Sequence, residues 1–106
     1  MADDPLDALD ALIRSRKGSD PASSYTAQLF AAGRPKIAQK VGEEAVETVI
    51  AAMGDDATAL TGEAADLVYH LLVLLADAGL SLDDVRAELS RRTGTSGLIE
   101  KASRSD

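Results

Sequence analysis

Residues 36–78 read KIAQKVGEEAVETVIAAMGDDATALTGEAADLVYHLLVLLADA, and they contain two long apolar patterns with helical spacing. The first pattern covers residues 35–53 without a break. Gly54-Asp55-Asp56 favours a tight connection, and the second aspartate can cap another helix over residues 57–78, which Gly79 ends. Because a short connection makes neighbouring helices antiparallel, the sequence predicts a central helical hairpin.

Three shorter helices are expected around this hairpin. The first covers residues 5–17, the second Tyr25–Ala32 and the third Leu82–Arg92, each preceded by a residue that can cap a helix. Only 3% of the residues are aromatic, and no stretch alternates apolar and polar side chains as a half-buried strand would. The predicted fold class is therefore all-α, with one domain over residues 1–106 that ends in a polar tail at about residues 93–106.

The composition excludes several classes of function. The chain has 106 residues, no cysteine, one histidine and a net charge of −7. Disulfides, thiolate catalysis and multi-histidine metal sites are therefore ruled out. The acidic charge gives no electrostatic footprint for nucleic acid or anionic lipid, so neither is expected as a partner. The longest wholly apolar run covers only residues 71–76 and the N-terminus lacks a signal-peptide pattern, so a cytoplasmic location is expected.

Charged side chains form one narrow stripe on each helix of the hairpin. At 100° per residue, each stripe spans an arc of roughly 100° or less on a helix that is otherwise apolar. The stripe on the first helix consists of Lys36, Lys40, Glu43, Glu44 and Glu47. The stripe on the second helix consists of Glu63, Asp66, His70 and Asp77.

The two stripes match in register if the hairpin folds about Asp55. Residues equally distant from Asp55 then lie at the same height, and the facing pairs are Glu47 with Glu63, Glu44 with Asp66, and Lys40 with His70. Four partly desolvated carboxylates at such positions repel one another unless they are protonated or bridged by a cation. The register therefore predicts a site for a divalent metal.

The type of metal follows from the ligands. Oxygen ligands alone suit Mg²⁺, Mn²⁺ or Ca²⁺, whereas a di-iron site of the helical-bundle type needs two histidines. Lys36 and Lys40 add cationic donors next to the carboxylates, as phosphate binding requires. A metal beside lysines indicates a phosphoanhydride substrate.

Simpler interpretations apply to several of these residues. Either stripe alone is typical of a solvated helix face with intrahelical Lys–Glu pairs. His70 is expected to support neighbouring residues at most, and Tyr25 and Tyr69 are expected to pack. The match between two stripes on otherwise apolar helices favours the metal site.

The carboxylate spacing resembles a family signature. Glu43-Glu44-x-x-Glu47 followed by Glu63-x-x-Asp66 is similar to the EExxE…ExxD motif of the all-α, MazG-like nucleoside triphosphate pyrophosphohydrolases. Flanking segments are similar to one member of that superfamily, the phosphoribosyl-ATP pyrophosphohydrolase family. These segments are Ser24-Tyr25-Thr26, Leu29-Phe30, Gly33, residues 36–44 and residues 63–72.

The resemblance implies a reaction and a set of roles. The reaction is hydrolysis between the α and β phosphates of phosphoribosyl-ATP, which gives phosphoribosyl-AMP and pyrophosphate in the second step of histidine biosynthesis. Glu44, Glu47, Glu63 and Asp66 correspond to Mg²⁺ ligands, Glu44 and Glu47 also belonging to the catalytic set. Glu43 is implied as a further ligand or as the group that orients the attacking water. The hypothesis for Lys40 and Lys36 is that they stabilise charge on the substrate phosphates and the departing pyrophosphate.

Two almost wholly apolar helices exceed what three short ones can cover. We therefore expect a four-helix core completed by a second copy, and the family is similar in forming homodimers. Two alternatives stay open at this point: a housecleaning nucleotide pyrophosphatase with the same fold and metal, and a non-catalytic helical dimer that binds a cation. Ser24, Tyr25 and Gln39 are candidates for nucleotide contacts, although their spacing does not require it.

Overall fold

The computed structural model describes residues 4–93, which form only helices, turns and short connections. The helices are α1 (Pro5–Ser15), a short 3₁₀ helix (Pro21–Ser23), α2 (Tyr25–Ala32), α3 (Arg34–Ala52), α4 (Ala57–Asp77) and α5 (Leu82–Arg92). No strand is present in this range, so the predicted all-α class is confirmed. Residues 94–106, which include nearly all of the predicted polar tail, lie outside the described residues.

The predicted helix boundaries agree with the structure to within one residue, except at the end of α1. This helix was expected to reach residue 17 but ends at Ser15. Lys17 lies in a turn before Gly18, which adopts a φ of 85°. The Lys17 ammonium donates hydrogen bonds to the carbonyl oxygens of Ala76 (3.0 Å) and Asp77 (3.3 Å) at the end of α4. The early end of α1 therefore places a cation where a helix dipole is negative.

Short polar side chains fix the helix starts. Asp4 caps α1, Ser24 caps α2 and Asp56 caps α4, each accepting a hydrogen bond from a backbone N–H in the first turn. Gly33 alone joins α2 to α3, and its φ of 95° is one that other residues rarely adopt. The direction in which α3 leaves α2 therefore depends on this glycine.

The core lies where α1, α2 and α3 meet the C-terminal half of α4. Its buried side chains are Ile13, Leu29, Ile37, Leu72, Val73 and Ala76. α3 and α4 make the most extensive contact in the described chain and form the predicted antiparallel hairpin, joined by residues 53–56. The N-terminal half of α4 and the C-terminal half of α3 extend beyond this core.

The C-terminal half of α3 has an uncovered apolar side in the single chain. Ile37 is the one buried residue of α3. An apolar stripe at i, i+3, i+4 and i+7 is 57–79% exposed in the single chain, and we call it the α3 apolar face; it consists of Val46, Val49, Ile50 and Met53. Within residues 4–93 no other element covers this stripe, and the completion of the core by a second copy stays a prediction.

Helix α4 also passes a simple test for a membrane span. Among residues 4–93 it is the one helix whose length and apolar composition would allow it to cross a membrane. The core helix of a water-soluble protein passes the same test, and α4 supplies Leu72, Val73 and Ala76 to the core. Length and composition alone therefore do not make α4 a membrane span.

Arg86 connects the last helix to the first. Its guanidinium pairs with Asp7 of α1 and with Asp83 of its own helix (3.0 Å), and it lies 3.6 Å from Asp4. The hydrogen bond from Arg86 is the largest cause of the lowered pKa of Asp7. This cluster of charges therefore holds α5 against the N-terminal helix.

We expect the substitution Arg86→Gln to lower the thermal unfolding midpoint by a few degrees, because it removes pairs between two helices. Arg92→Gln is the matched control, since Arg92 pairs with Glu88 within α5. Thermal scans at low and high NaCl provide the measurement, and the difference from wild type should shrink at high salt. Equal losses for both variants would show that the ion pairs between α1 and α5 stabilise the fold no more than an ion pair within α5 does.

Candidate metal centre and adjoining cavity

Three of the predicted carboxylates meet between α3 and α4. Ligand oxygens of Glu44, Glu63 and Asp66 lie within 4.8 Å of one another, and we call these three residues the carboxylate group. Glu44 and Glu63 are half-buried, whereas Asp66 is exposed. Glu44 comes from α3, and the other two lie one turn apart on α4 because residues at i and i+3 share a helix face.

The carboxylate group concentrates negative charge between α3 and α4. Burial raises the pKa of Glu63, and the nearby charges of Glu44, Asp66 and Glu47 raise it further. Within residues 4–93, no ion pair reaches any member of the group. Oxygen ligands in mutual repulsion are the donor set that a hard divalent cation stabilises.

The other two glutamates of the stripe have different surroundings. Glu47 is exposed and does not belong to the carboxylate group, although its charge acts on Glu63. Glu43 accepts hydrogen bonds from Gln39 (2.7 Å) and from the ammonium of Lys40 (3.2 Å). These two bonds lower the pKa of Glu43, the bond from Gln39 having the larger effect. Glu43 therefore faces the lysine side of the stripe.

Both lysines of the stripe line a cavity of about 370 Å³. Its lining residues are Tyr25, Gln28, Leu29, Ala32, Lys36 and Lys40. The hydrogen bond to Glu43 raises the pKa of Lys40, so its ammonium stays charged at neutral pH. Glu44 lies one turn after Lys40 on α3, so the cavity adjoins the carboxylate group.

Two of the residues suggested for nucleotide contacts are engaged elsewhere. The Ser24 hydroxyl accepts a hydrogen bond from the N–H of Ala27 (3.0 Å) as the cap of α2. Gln39 donates to Glu43, and neither Ser24 nor Gln39 belongs to the set of described residues that lines the cavity. Tyr25, the third candidate, does line it.

The α2–α4 contact includes a buried histidine. His70 is only 5% exposed. Its Nε2 atom lies 2.9 Å from the hydroxyl of Tyr25, and its Nδ1 atom lies 2.8 Å from the carbonyl oxygen of Asp66. Tyr69 stacks on Tyr25 with ring centroids 6.2 Å apart, and its hydroxyl bonds to that of Thr26. His70 therefore contacts Tyr25, a partner that the stripe pattern did not indicate.

Comparison with known proteins agrees with the resemblance noted in the sequence. The family model for phosphoribosyl-ATP pyrophosphohydrolase matches residues 6–93. A phosphoribosyl-ATP pyrophosphatase of Rhizorhabdus wittichii is 65% identical over 99 residues, which cover 93% of each chain. One from Paramagnetospirillum magneticum is 63% identical over 93% of this chain and 91% of its own. One from Erythrobacter litoralis is 59% identical over 95% and 97%. The chain belongs to the phosphoribosyl-ATP pyrophosphohydrolase family.

Proposed function

We propose that this chain hydrolyses the α–β phosphoanhydride of phosphoribosyl-ATP in histidine biosynthesis, with Mg²⁺ as its metal. The oxygen of a water forms a new bond to a phosphorus of this anhydride, and the bond between that phosphorus and the bridging oxygen breaks. Phosphoribosyl-AMP and pyrophosphate are released. The observation that carries the proposal is the meeting of Glu44, Glu63 and Asp66 beside a cavity with two lysines, in a chain of this family. The names of the relatives support the choice of substrate.

The metal ligands that we propose are the carboxylate group together with Glu47. The group already brings three oxygens within 4.8 Å of one another, and the charge of Glu47 adds to the negative potential at Glu63. All four donors are hard oxygen atoms, which suits Mg²⁺. When bound, Mg²⁺ would neutralise charge on the triphosphate and lower the pKa of a water.

The lysines of the cavity are proposed to bind the phosphates. Lys36 and Lys40 line the same cavity one turn apart, so both ammonium groups can approach one chain of phosphates. Their positive charge would stabilise the negative charge that develops on the departing pyrophosphate. We assign Glu43 to orienting the attacking water, because its carboxylate lies at Lys40 and outside the carboxylate group.

We further propose that the enzyme is a homodimer in the cytoplasm. The α3 apolar face leaves four neighbouring apolar side chains exposed on a helix that also carries site residues. A contiguous apolar surface of this kind is typical of an interface, and a second copy of the hairpin would complete a four-helix core. The cytoplasmic location is proposed because the substrate is an ATP derivative. The net charge of −7 disfavours nucleic acid and anionic membranes as partners.

The experiment that tests this function is pyrophosphate release from phosphoribosyl-ATP, ATP and dCTP, each with Mg²⁺ and with EDTA. We expect Mg²⁺-dependent turnover of phosphoribosyl-ATP that exceeds turnover of the other two by at least about 100-fold, as recognition of an additional substituent can provide. Turnover of ATP and dCTP instead would make the protein a housecleaning pyrophosphatase. Stabilisation by Mg²⁺ without any pyrophosphate release would favour a non-catalytic metal-binding dimer.

A further inference from the structure

One chain of hydrogen bonds connects the cavity with α4, the helix that carries Glu63 and Asp66 of the carboxylate group. It begins at Tyr25, which lines the cavity, passes through the imidazole of His70 and ends at the backbone carbonyl of Asp66. His70 is nine-tenths buried or more, whereas Tyr25 is 48% exposed. The buried imidazole therefore supports a side chain that a ligand can reach.

The direction of these bonds follows from the groups themselves. A carbonyl oxygen only accepts, so Nδ1 of His70 carries a proton and donates it to Asp66. In a neutral imidazole, Nε2 is then an acceptor, and the hydroxyl of Tyr25 must donate to it. Burial raises the pKa of the Tyr25 hydroxyl, so this proton is present at neutral pH. The free lone pairs of the Tyr25 oxygen remain available to accept a hydrogen bond.

The hydroxyl of Tyr25 lies near both parts of the site. Besides Tyr69, the groups whose charges act on it are Lys40 in the cavity, Glu44 in the carboxylate group and Glu43. Its ring is held by stacking on Tyr69 and by an edge contact with His70 at 5.8 Å between centroids. The ring and the hydroxyl of Tyr25 are thus both held in place. A fixed oxygen can accept a hydrogen bond from an O–H group that approaches from one defined direction.

We propose that His70 is a positioning residue that holds the hydroxyl of Tyr25 as a hydrogen-bond acceptor for an O–H group in the cavity. The donor is either a sugar hydroxyl of the nucleotide or a water molecule next to the phosphates. The inference rests on the proposed function, because it takes the cavity as the substrate site. It assigns to Tyr25 a role beyond packing and to His70 a role exerted through Tyr25.

Two substitutions of His70 separate this role from a purely structural one. In His70→Asn the amide nitrogen can take the place of Nδ1 and still donate to the Asp66 carbonyl, but no atom reaches the hydroxyl of Tyr25. In His70→Gln the amide oxygen can take the place of Nε2 and still accept from Tyr25, while the bond to Asp66 is lost. If His70 acts through Tyr25, we expect kcat/KM of His70→Asn to fall about tenfold, the effect of one net hydrogen bond, and His70→Gln to stay within about threefold of wild type. The reverse order would overturn the proposal.

A double-mutant cycle provides the second readout. Tyr25→Phe alone should lower kcat/KM about tenfold, and Tyr25→Phe with His70→Asn should lower it by about the same factor, because both remove one interaction. A roughly hundredfold loss in the double variant, or wild-type kinetics of Tyr25→Phe, would contradict the inference. Ser15→Ala is the control and should keep wild-type kinetics, since it removes a hydroxyl that donates to the Leu12 carbonyl on α1 and does not line the cavity.

The kinetic constants identify the donor. A rise in KM at constant kcat indicates a sugar hydroxyl bound equally in ground and transition states, and a fall in kcat at constant KM indicates a water that takes part in the reaction. Both results support the proposal. Circular dichroism should show folded variants at the assay temperature. Failure of the wild-type enzyme to hydrolyse phosphoribosyl-ATP would instead contradict the proposed function, so the two failures are distinguishable.

Discussion

The substitution Glu44→Gln should lower kcat/KM for phosphoribosyl-ATP by about 1000-fold while leaving the protein folded. Glu44 is the one member of the carboxylate group on α3, so this substitution removes the ligand that α3 contributes and leaves the two ligands of α4 unchanged. An amide still offers an oxygen but carries no negative charge to hold Mg²⁺. Initial rates of pyrophosphate release at saturating Mg²⁺ provide the measurement.

Thermal unfolding gives an independent measurement of the same substitution. Wild type should unfold at a higher temperature with Mg²⁺ than with EDTA, because a ligand that binds only the native state stabilises it. In Glu44→Gln this difference should nearly vanish, and in EDTA the variant should be at least as stable as wild type, because one repelling charge is gone. Asp55→Asn is the matched control, since it removes the same charge from the exposed α3–α4 connection. Near-wild-type turnover by Glu44→Gln would rule out the metal assignment.

The substitution Ile50→Asp should convert a homodimer into monomers. Ile50 is 60% exposed in the single chain and lies within the α3 apolar face, between Val46 and Met53. A carboxylate buried there in a dimer would be desolvated without a partner, which raises the dissociation constant by about 1000-fold or more. Sedimentation at micromolar concentration should give twice the 11.0 kDa chain mass for wild type and the single mass for the variant.

Leu12→Asp is the control for this experiment. Leu12 is 49% exposed on α1, so the substitution adds the same charge at a comparably exposed apolar position outside the α3 apolar face. We expect this variant to sediment like wild type. A wild-type protein that sediments as a folded monomer would contradict the dimer proposal, and a dimeric Ile50→Asp variant would place the interface elsewhere.

The hairpin could be predicted from the sequence because its determinants are local. Asp56 caps α4, the connection is short, and apolar residues recur at helical spacing, so the boundaries of α3 and α4 followed to within one residue. The register about Asp55 also anticipated that Glu44 lies near Glu63 and Asp66. These relations need only helix geometry and one turn.

Features that depend on packing between distant segments were not predictable in this way. Tyr25 contacts His70 across 45 positions of the chain, and Arg86 contacts Asp7 across 79. No spacing rule relates such residues, because their proximity is set by how α2 and α5 pack against the rest. The exposure of Ile50 has a related cause, since an apolar pattern predicts that a face will be covered but does not say by which chain.

Because Gly33 alone joins α2 to α3, a small rotation at this residue would move the far end of α2 and change the width of the cavity. α2 is 8 residues long, and at 1.5 Å per residue it extends about 12 Å from the joint at Gly33 to Tyr25. A rotation of about 10° at Gly33 would therefore displace Tyr25 by about 2 Å relative to the lysines of α3, enough to lose a hydrogen bond. The bonds from Tyr25 to His70 and from Thr26 to Tyr69 hold the far end of this arm on α4. The width of the cavity is thus set by a pivot at one end and by two hydroxyl contacts at the other.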